Sequence, residues 1–347
     1  MPALHRPSPL LRAEVQPVDR DGDPAFCAAA LINGVELVVA DHFHTGVAIL
    51  EALDRLLPAP PPEAPYAARR AAFVAHRAAS LRLLLPVRDH RIAVLGVGPL
   101  PFAAALYPEL RDFYLPFAQV QELHGSAQIY EEGVHLAVLG RRLRPFYGVY
   151  LPTRTEHLEL FGTWLGRYAG ERRRAVDVGT GSGVLCLMMA RAGFAELRAT
   201  DQNPNAVESL RRELSRAPVA ARVELARGDL LAGTDAGWAD LVVFNPPWIP
   251  GEPTSAVDRA LEYADPELFE RFFAQAAAAL APEGRVAIVW STIGQLLRPE
   301  APHPLEAELA RPSPRFRLVD KLARRVPPGP GRRRTRERVE VWELQRA

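Results

Sequence analysis

Apolar and polar positions along this chain fall into two regimes, and the second is the more regular. From about residue 146, short apolar runs alternate with stretches of helical spacing. Strands are expected near Ala175–Val178, Leu197–Asp201, Val223–Ala226, Leu241–Phe244 and Arg285–Trp290, with helices over Val184–Ala192, Pro204–Leu214 and Glu267–Leu280. Asn203-Pro204 supplies an N-cap and a first-turn proline, and Gly193 suits a helix stop. Ahead of these, Phe146–Leu151 is strand-like and Thr153–Tyr168 helical, with Thr153 and Glu156 placed as a capping box. Strand, helix and strand at this spacing imply a parallel sheet with right-handed crossovers. Two later strands, near Phe316–Lys321 and Val339–Leu344, flank a Pro/Gly/Arg loop and are expected to pair at the sheet edge.

The first third alternates less cleanly. Phe26–Ala40 holds Asn33-Gly34 between apolar runs, a hairpin signal. Thr45–Leu57 has helical spacing, and Pro58–Pro65 carries five prolines in eight residues, which predicts a stiff linker. Tyr66–Leu85 reads as a helix stopped by Pro86, while Arg91–Val97 and His135–Gly140 read as strands. The division falls at an N-terminal α+β domain over 1–140 and a second domain over 141–347.

Composition excludes several classes. With 347 residues, 48% hydrophobic and 24% charged, the chain has the make-up of a folded protein rather than a disordered one. The net charge of +1 carries no global mark of nucleic-acid or membrane binding. It conceals a local bias: residues 311–347 carry 12 basic and 4 acidic groups, net +8. The Arg332–Arg338 run could contact phosphates. Cys27 and Cys186 are too few for a disulfide framework, and no metal-ligand spacing occurs; Asp41-His-Phe-His44 lacks a third ligand. No apolar run reaches membrane-spanning length and the N-terminus has no signal-peptide pattern, so the expectation is cytoplasmic.

The candidate chemistry begins at Ala175-Val-Asp-Val-Gly-Thr-Gly-Ser-Gly183. Asp177 closes a strand, and Gly179, Thr180, Gly181 and Gly183 turn into a helix. Glycines there let backbone approach a ligand without a Cβ in the way. The spacing is G-x-G-x-G rather than the dinucleotide G-x-G-x-x-G. Asp177 is placed to accept from an ammonium or an amide. Asp201, at the end of the next strand, can take both ribose hydroxyls. Asp229 and Leu230 follow the third strand, where an acid can accept from adenine's exocyclic amine. An ammonium, a ribose and an adenine describe S-adenosylmethionine.

The fourth strand ends in Asn245-Pro246-Pro247-Trp248, a more specific signal than the glycines. The prolines fix an extended turn and remove two N–H donors. The Asn245 side chain and the Pro246 carbonyl form two acceptors for one amino group, aligning its nitrogen for attack on a methyl. Trp248 offers a flat face for a planar amide or base.

These motifs, in this order, resemble class I S-adenosylmethionine-dependent methyltransferases of the amino- and amide-nitrogen group, above all release-factor glutamine methyltransferases and related small-domain methyltransferases. Arg144–Pro152 with Thr155-Glu156 is similar to their lead-in segment and first helix. The family usually has Tyr or Phe where Trp248 stands. The resemblance covers roughly 140–295 and implies an α/β, doubly wound, mostly parallel seven-stranded Rossmann-like sheet. It also implies a methyl-transfer enzyme in which Asp177, Gly179, Thr180, Gly181 and Gly183 hold the methionine part of the cofactor. Asp201 would hold the ribose, Asp229 with Leu230 the adenine, and Asn245 with Pro246 the acceptor nitrogen. The expected acceptor is an amino or amide nitrogen on RNA, with a protein glutamine or a small molecule as the alternatives.

Overall fold

The computed structural model describes residues 3–11, 15–61, 63–152, 154–253, 260–328 and 336–347. Two compact units divide at Glu131/Glu132.

The first unit, Leu4–Glu131, contains β1 (Gln16–Val18), α1 (Pro24–Ile32), β2 (Leu37–Val39), α2 (Phe43–Leu56), α3 (Tyr66–Ser80), β3 (Leu83–Arg88), β4 (Arg91–Ile92), α4 (Ala103–Leu106) and β5 (Phe113–Pro116), followed by α5 (Phe117–Glu132). Parallel β1, β2 and β3 continue into antiparallel β4 and β5. The expected hairpin over 26–40 is not there. Asp23 caps α1 by accepting from Ala25 N, and Pro24 starts the helix. Asn33-Gly34 closes that helix instead: Gly34 has φ +91°, Gly34 N donates to Leu31 O and Val35 N to Ala30 O. This is the Schellman arrangement, which uses the same left-handed glycine as a hairpin turn. The helix expected over 66–85 ends at Ser80, because Leu83–Val87 pairs between β2 and β5 and is buried there.

The second unit, Glu132–Ala347, opens with the antiparallel pair β6 (Val134–Leu136) and β7 (Arg141–Leu143), then α6 (Glu156–Arg167). It continues through β8 (Arg174–Val178), α7 (Val184–Arg191), β9 (Glu196–Asp201), α8 (Pro204–Arg216), β10 (Arg222–Arg227) and β11 (Ala239–Phe244). Short strands β12 (Ile249–Pro250) and β13 (Glu262–Tyr263) precede α9 (Leu268–Ala279), β14 (Leu280–Ser291), α10 (Ile293–Leu297) and α11 (Pro304–Leu309). Strands β15 (Phe316–Arg325) and β16 (Arg338–Arg346) complete the chain. The main sheet runs β10-β9-β8-β11-β14-β16-β15. Its first five strands are parallel, and β16 and β15 are antiparallel.

Period-two alternation distributes the core over both sheet faces. Leu241, Val243, Ala287 and Val289 face α6 and α7, while Val242, Phe244, Val286 and Ile288 face α9. The strand expected over 146–151 does not form. Its backbone is occupied by α8: Asn203 Nδ2 donates to Gly148 O at 2.9 Å, Asn205 Nδ2 to Tyr147 O at 2.8 Å, and Phe146 N to Ser209 Oγ at 3.0 Å. Side chains thus satisfy a segment that a ladder would otherwise claim. Thr153 of the expected capping box and residues 329–335 of the arginine loop lie outside the described residues.

Gly183, the residue before α7, has φ +82°, and a Cβ there would sit 2.6 Å from Leu210 Cδ1 on buried α8. Gly183→Ala is expected to lower stability by about 1–3 kcal/mol, from backbone strain and overpacking. Denaturant melts of wild type and variant measure it.

Candidate functional site

After β8 the chain winds outward through β9 and β10, then returns so that β11 pairs with the other side of β8. Order reverses at that point, and in open α/β sheets such a reversal leaves a crevice at the carboxyl ends of the two strands. Val178 and Phe244 are register partners, so Gly179 and Asn245, far apart in sequence, leave the sheet side by side.

Gly179, Gly181 and Gly183 all have positive φ, at +64°, +52° and +82°, which is the conformation the glycines allow. Asp177 is buried beneath this turn. Its Oδ2 accepts from Thr180 Oγ1 at 2.6 Å and from Cys186 N at 3.0 Å, tying the turn to the first residues of α7. Burial outweighs these bonds and pushes its pKa up to about 7, and the Asp201 carboxylate nearby adds to the rise.

Asp201 accepts from Gly181 N and from Asn203 N, each at 2.8 Å, and burial raises its pKa as well. The β9 and β8 ends are joined further by Thr180 N donating to Thr200 O at 2.9 Å. Thr200 Oγ1 donates to Leu230 O at 2.6 Å, which fixes the third loop, where Leu230 adopts φ +52°. Asp229 accepts from Gln202 Nε2 and pairs with Arg271 of α9 at 3.4 Å; Arg271 also pairs with Asp265. The carboxylate expected to face an adenine amine thus has cationic company that spacing alone did not reveal.

Asn245 follows β11 directly. Its Oδ1 is buried and has no hydrogen-bond partner among the described residues. Pro246 is buried, while Pro247 and Trp248 are half-buried. Trp248 is held at its backbone N by Leu261 O, 3.0 Å, and at Nε1 by Val289 O, 3.3 Å. The two prolines thus set the Asn245 and Trp248 side chains apart along one turn.

Two contacts at this turn had no counterpart in the sequence argument. His157, on the first turn of α6, packs edge-on to Trp248 with ring centroids 5.2 Å apart and planes at 85°. It is 5% exposed; burial, with Arg154 nearby, pushes its pKa down to about 4, so the ring is neutral at pH 7. Gly294 of α10 lies so close that a Cβ would fall 2.1 Å from Trp248 O. A histidine after Thr155-Glu156 and a glycine opening a short helix are ordinary until the fold sets them against Trp248. Among the described residues no His/Cys/Asp/Glu group is arranged to hold a metal, and no helix is long and apolar enough to cross a membrane.

Residues 164–298 match the family model described as methyltransferase small domain. That stretch of the chain resembles a methyltransferase small domain. It holds the glycine turn, Asp201, Asp229 and Asn245–Trp248. Over 136 residues the chain is 32% identical to the tRNA1(Val) (adenine(37)-N6)-methyltransferase of Phocaeicola vulgatus, covering 37% of this chain and 56% of that one. It is 38% identical over 126 residues to the release factor glutamine methyltransferase of Deinococcus radiodurans, 33% of this chain and 44% of the relative. It is 44% identical over 78 residues to the ribosomal protein L11 methyltransferase of an Exiguobacterium species, 22% and 25% respectively. The chain spans about half the length, or less, of the curated relatives it matches.

The raised pKa of Asp177 has a testable sign. The folded state holds this proton from the ordinary 3.8 up to about 7, so the stability it contributes is complete below 3.8 and is lost as pH rises through about 7. Asp177→Asn has no such titration. The Tm of the variant minus that of wild type should therefore climb across this window and level off above it. A difference that stays flat with pH would show that Asp177 is not desolvated.

Proposed function

We propose that this chain transfers a methyl group from S-adenosylmethionine to the amino nitrogen of a base in RNA. The observation that carries the proposal is the buried, unpartnered Oδ1 of Asn245, set beside the glycine turn at the reversal of strand order. A buried acceptor without a donor is unfavourable by roughly 1–3 kcal/mol, which a ligand's amino group relieves.

The residues present suit the cofactor. Burial raises both Asp177 and Asp201, the Asp201 carboxylate raises Asp177 further, and a cationic methionine end relieves both. Asp177 with Gly179, Thr180, Gly181 and Gly183 would hold that end, Asp201 the ribose, and Asp229 with Leu230 the adenine. When bound, S-adenosylmethionine supplies a sulfonium-activated methyl group open to in-line displacement.

On the acceptor side, Asn245 Oδ1 and the Pro246 carbonyl each accept from one amino proton. That pairing holds the nitrogen in the tetrahedral form the transition state needs, which favours the transition state over the conjugated ground state. Trp248 stacks on the acceptor plane. Pro247 keeps the turn rigid and removes a competing donor. The extra proton leaves the nitrogen after the methyl has arrived, so the step requires no strong base.

RNA is favoured by the similarity to a tRNA adenine methyltransferase and by the net +8 of residues 311–347, a charge that attracts phosphates. Residues 1–140 act in this scheme as the substrate-recognition domain and 141–347 as the methyltransferase domain. A second reading, a glutamine side chain in a protein, is favoured by the 38% identity to a release factor glutamine methyltransferase.

The test uses labelled S-adenosylmethionine with extract from a host lacking the gene, and Asn245→Ala as the control. The label should be released by nuclease. The variant should lose at least about a hundredfold in kcat while its cofactor Kd stays within about threefold. Release by protease would replace RNA with the protein acceptor, and label confined to the small-molecule filtrate would replace both. Loss of cofactor binding in the variant would overturn the role given to Asn245.

A further inference from the structure

His157 stands outside the scheme above, yet its placement is specific. Asn245 Oδ1 and His157 Nε2 are both buried polar atoms with no hydrogen-bond partner among the described residues. Both border Trp248, one through the turn that carries it and the other through the edge-on ring contact at 5.2 Å. A histidine kept neutral at physiological pH has one ring nitrogen that donates and one that accepts, so it can serve a neutral ligand edge. Burying such an atom without a partner is unfavourable, and packing against an indole needs no imidazole; phenylalanine or leucine would fill the space without a polar atom.

We propose that His157 is a recognition residue for the acceptor, hydrogen-bonding the ring edge of an amino-substituted heteroaromatic ring stacked on Trp248. This rests on the function proposed above and narrows its acceptor class. A flat ligand with polar groups on two edges matches Asn245 and His157 together. An indole face suits a ring, whereas a carboxamide covers only a small part of it. The Trp248 indole is held in place by its Nε1 hydrogen bond to Val289 O at 3.3 Å and by the His157 ring.

Steady-state methylation of RNA from a host lacking the gene tests this with His157→Phe, which keeps a ring, and His157→Gln, which keeps a polar end. His157→Phe should raise the KM for RNA about tenfold, with kcat and cofactor Kd within about threefold. His157→Gln should recover most of the KM. Unchanged KM in His157→Phe would overturn the proposal. So would equal damage in both variants accompanied by a lowered Tm, which marks packing alone. If His157→Phe does not fold, the imidazole nitrogen resonances of wild type carry the test: added RNA should move the His157 Nε2 signal, and an unmoved signal overturns the contact. The two readings fail separately. No Asn245-dependent label in RNA sinks the proposed function and this inference with it, whereas label in RNA with an indifferent His157 sinks only the inference.

Discussion

Val178 and Phe244 face one another across the parallel ladder between β8 and β11, and the site depends on that rung. A slip of one residue would turn every side chain of β11 to the opposite sheet face. Burial on both faces prevents the slip: Leu241 and Val243 fit one cluster, Val242 and Phe244 the other. The cost of moving four apolar side chains into the wrong layer holds Gly179 and Asn245 together. Strand order then does the rest, because reversal at β8 leaves the ends of both strands uncovered by a crossover.

Within that crevice the dominant force is burial acting on polar groups. It raises Asp177 and Asp201, lowers His157, and leaves Asn245 Oδ1 without a donor. The surrounding hydrogen bonds are mostly from backbone N–H groups of the turns themselves, Gly181, Cys186 and Asn203. Such donors are placed by the same strand ends that create the crevice, so the polar network is preorganised before any ligand arrives. Polar groups retained under that strain mark a site rather than a core.

The elements between 174 and 291 were legible because the central strands, β11 above all, are apolar runs buried on both faces, and because Asn203-Pro204 and Gly193 signal their helix ends locally. Legibility failed where one local signal serves two structures. Asn33-Gly34 suits a hairpin or a Schellman stop, and Asp23-Pro24, ten residues earlier, decided between them by starting a helix. Leu83–Val87 continues a helical pattern until two strands claim its backbone. Phe146–Leu151 alternates like a strand, but the asparagines of α8 reach its carbonyls first.

The sequence by itself determined the α/β character of residues 174–291, the positive-φ glycine turn and the rigid Asn245–Trp248 segment, since each follows from residues close in the chain: period, glycine freedom and proline geometry. Only the tertiary structure decided who meets whom. It set Arg271 against Asp229, Gly294 beneath the Trp248 carbonyl and His157 against the indole. These are pairings across separate elements, and their formation depends on helix packing and strand register, which no local pattern encodes.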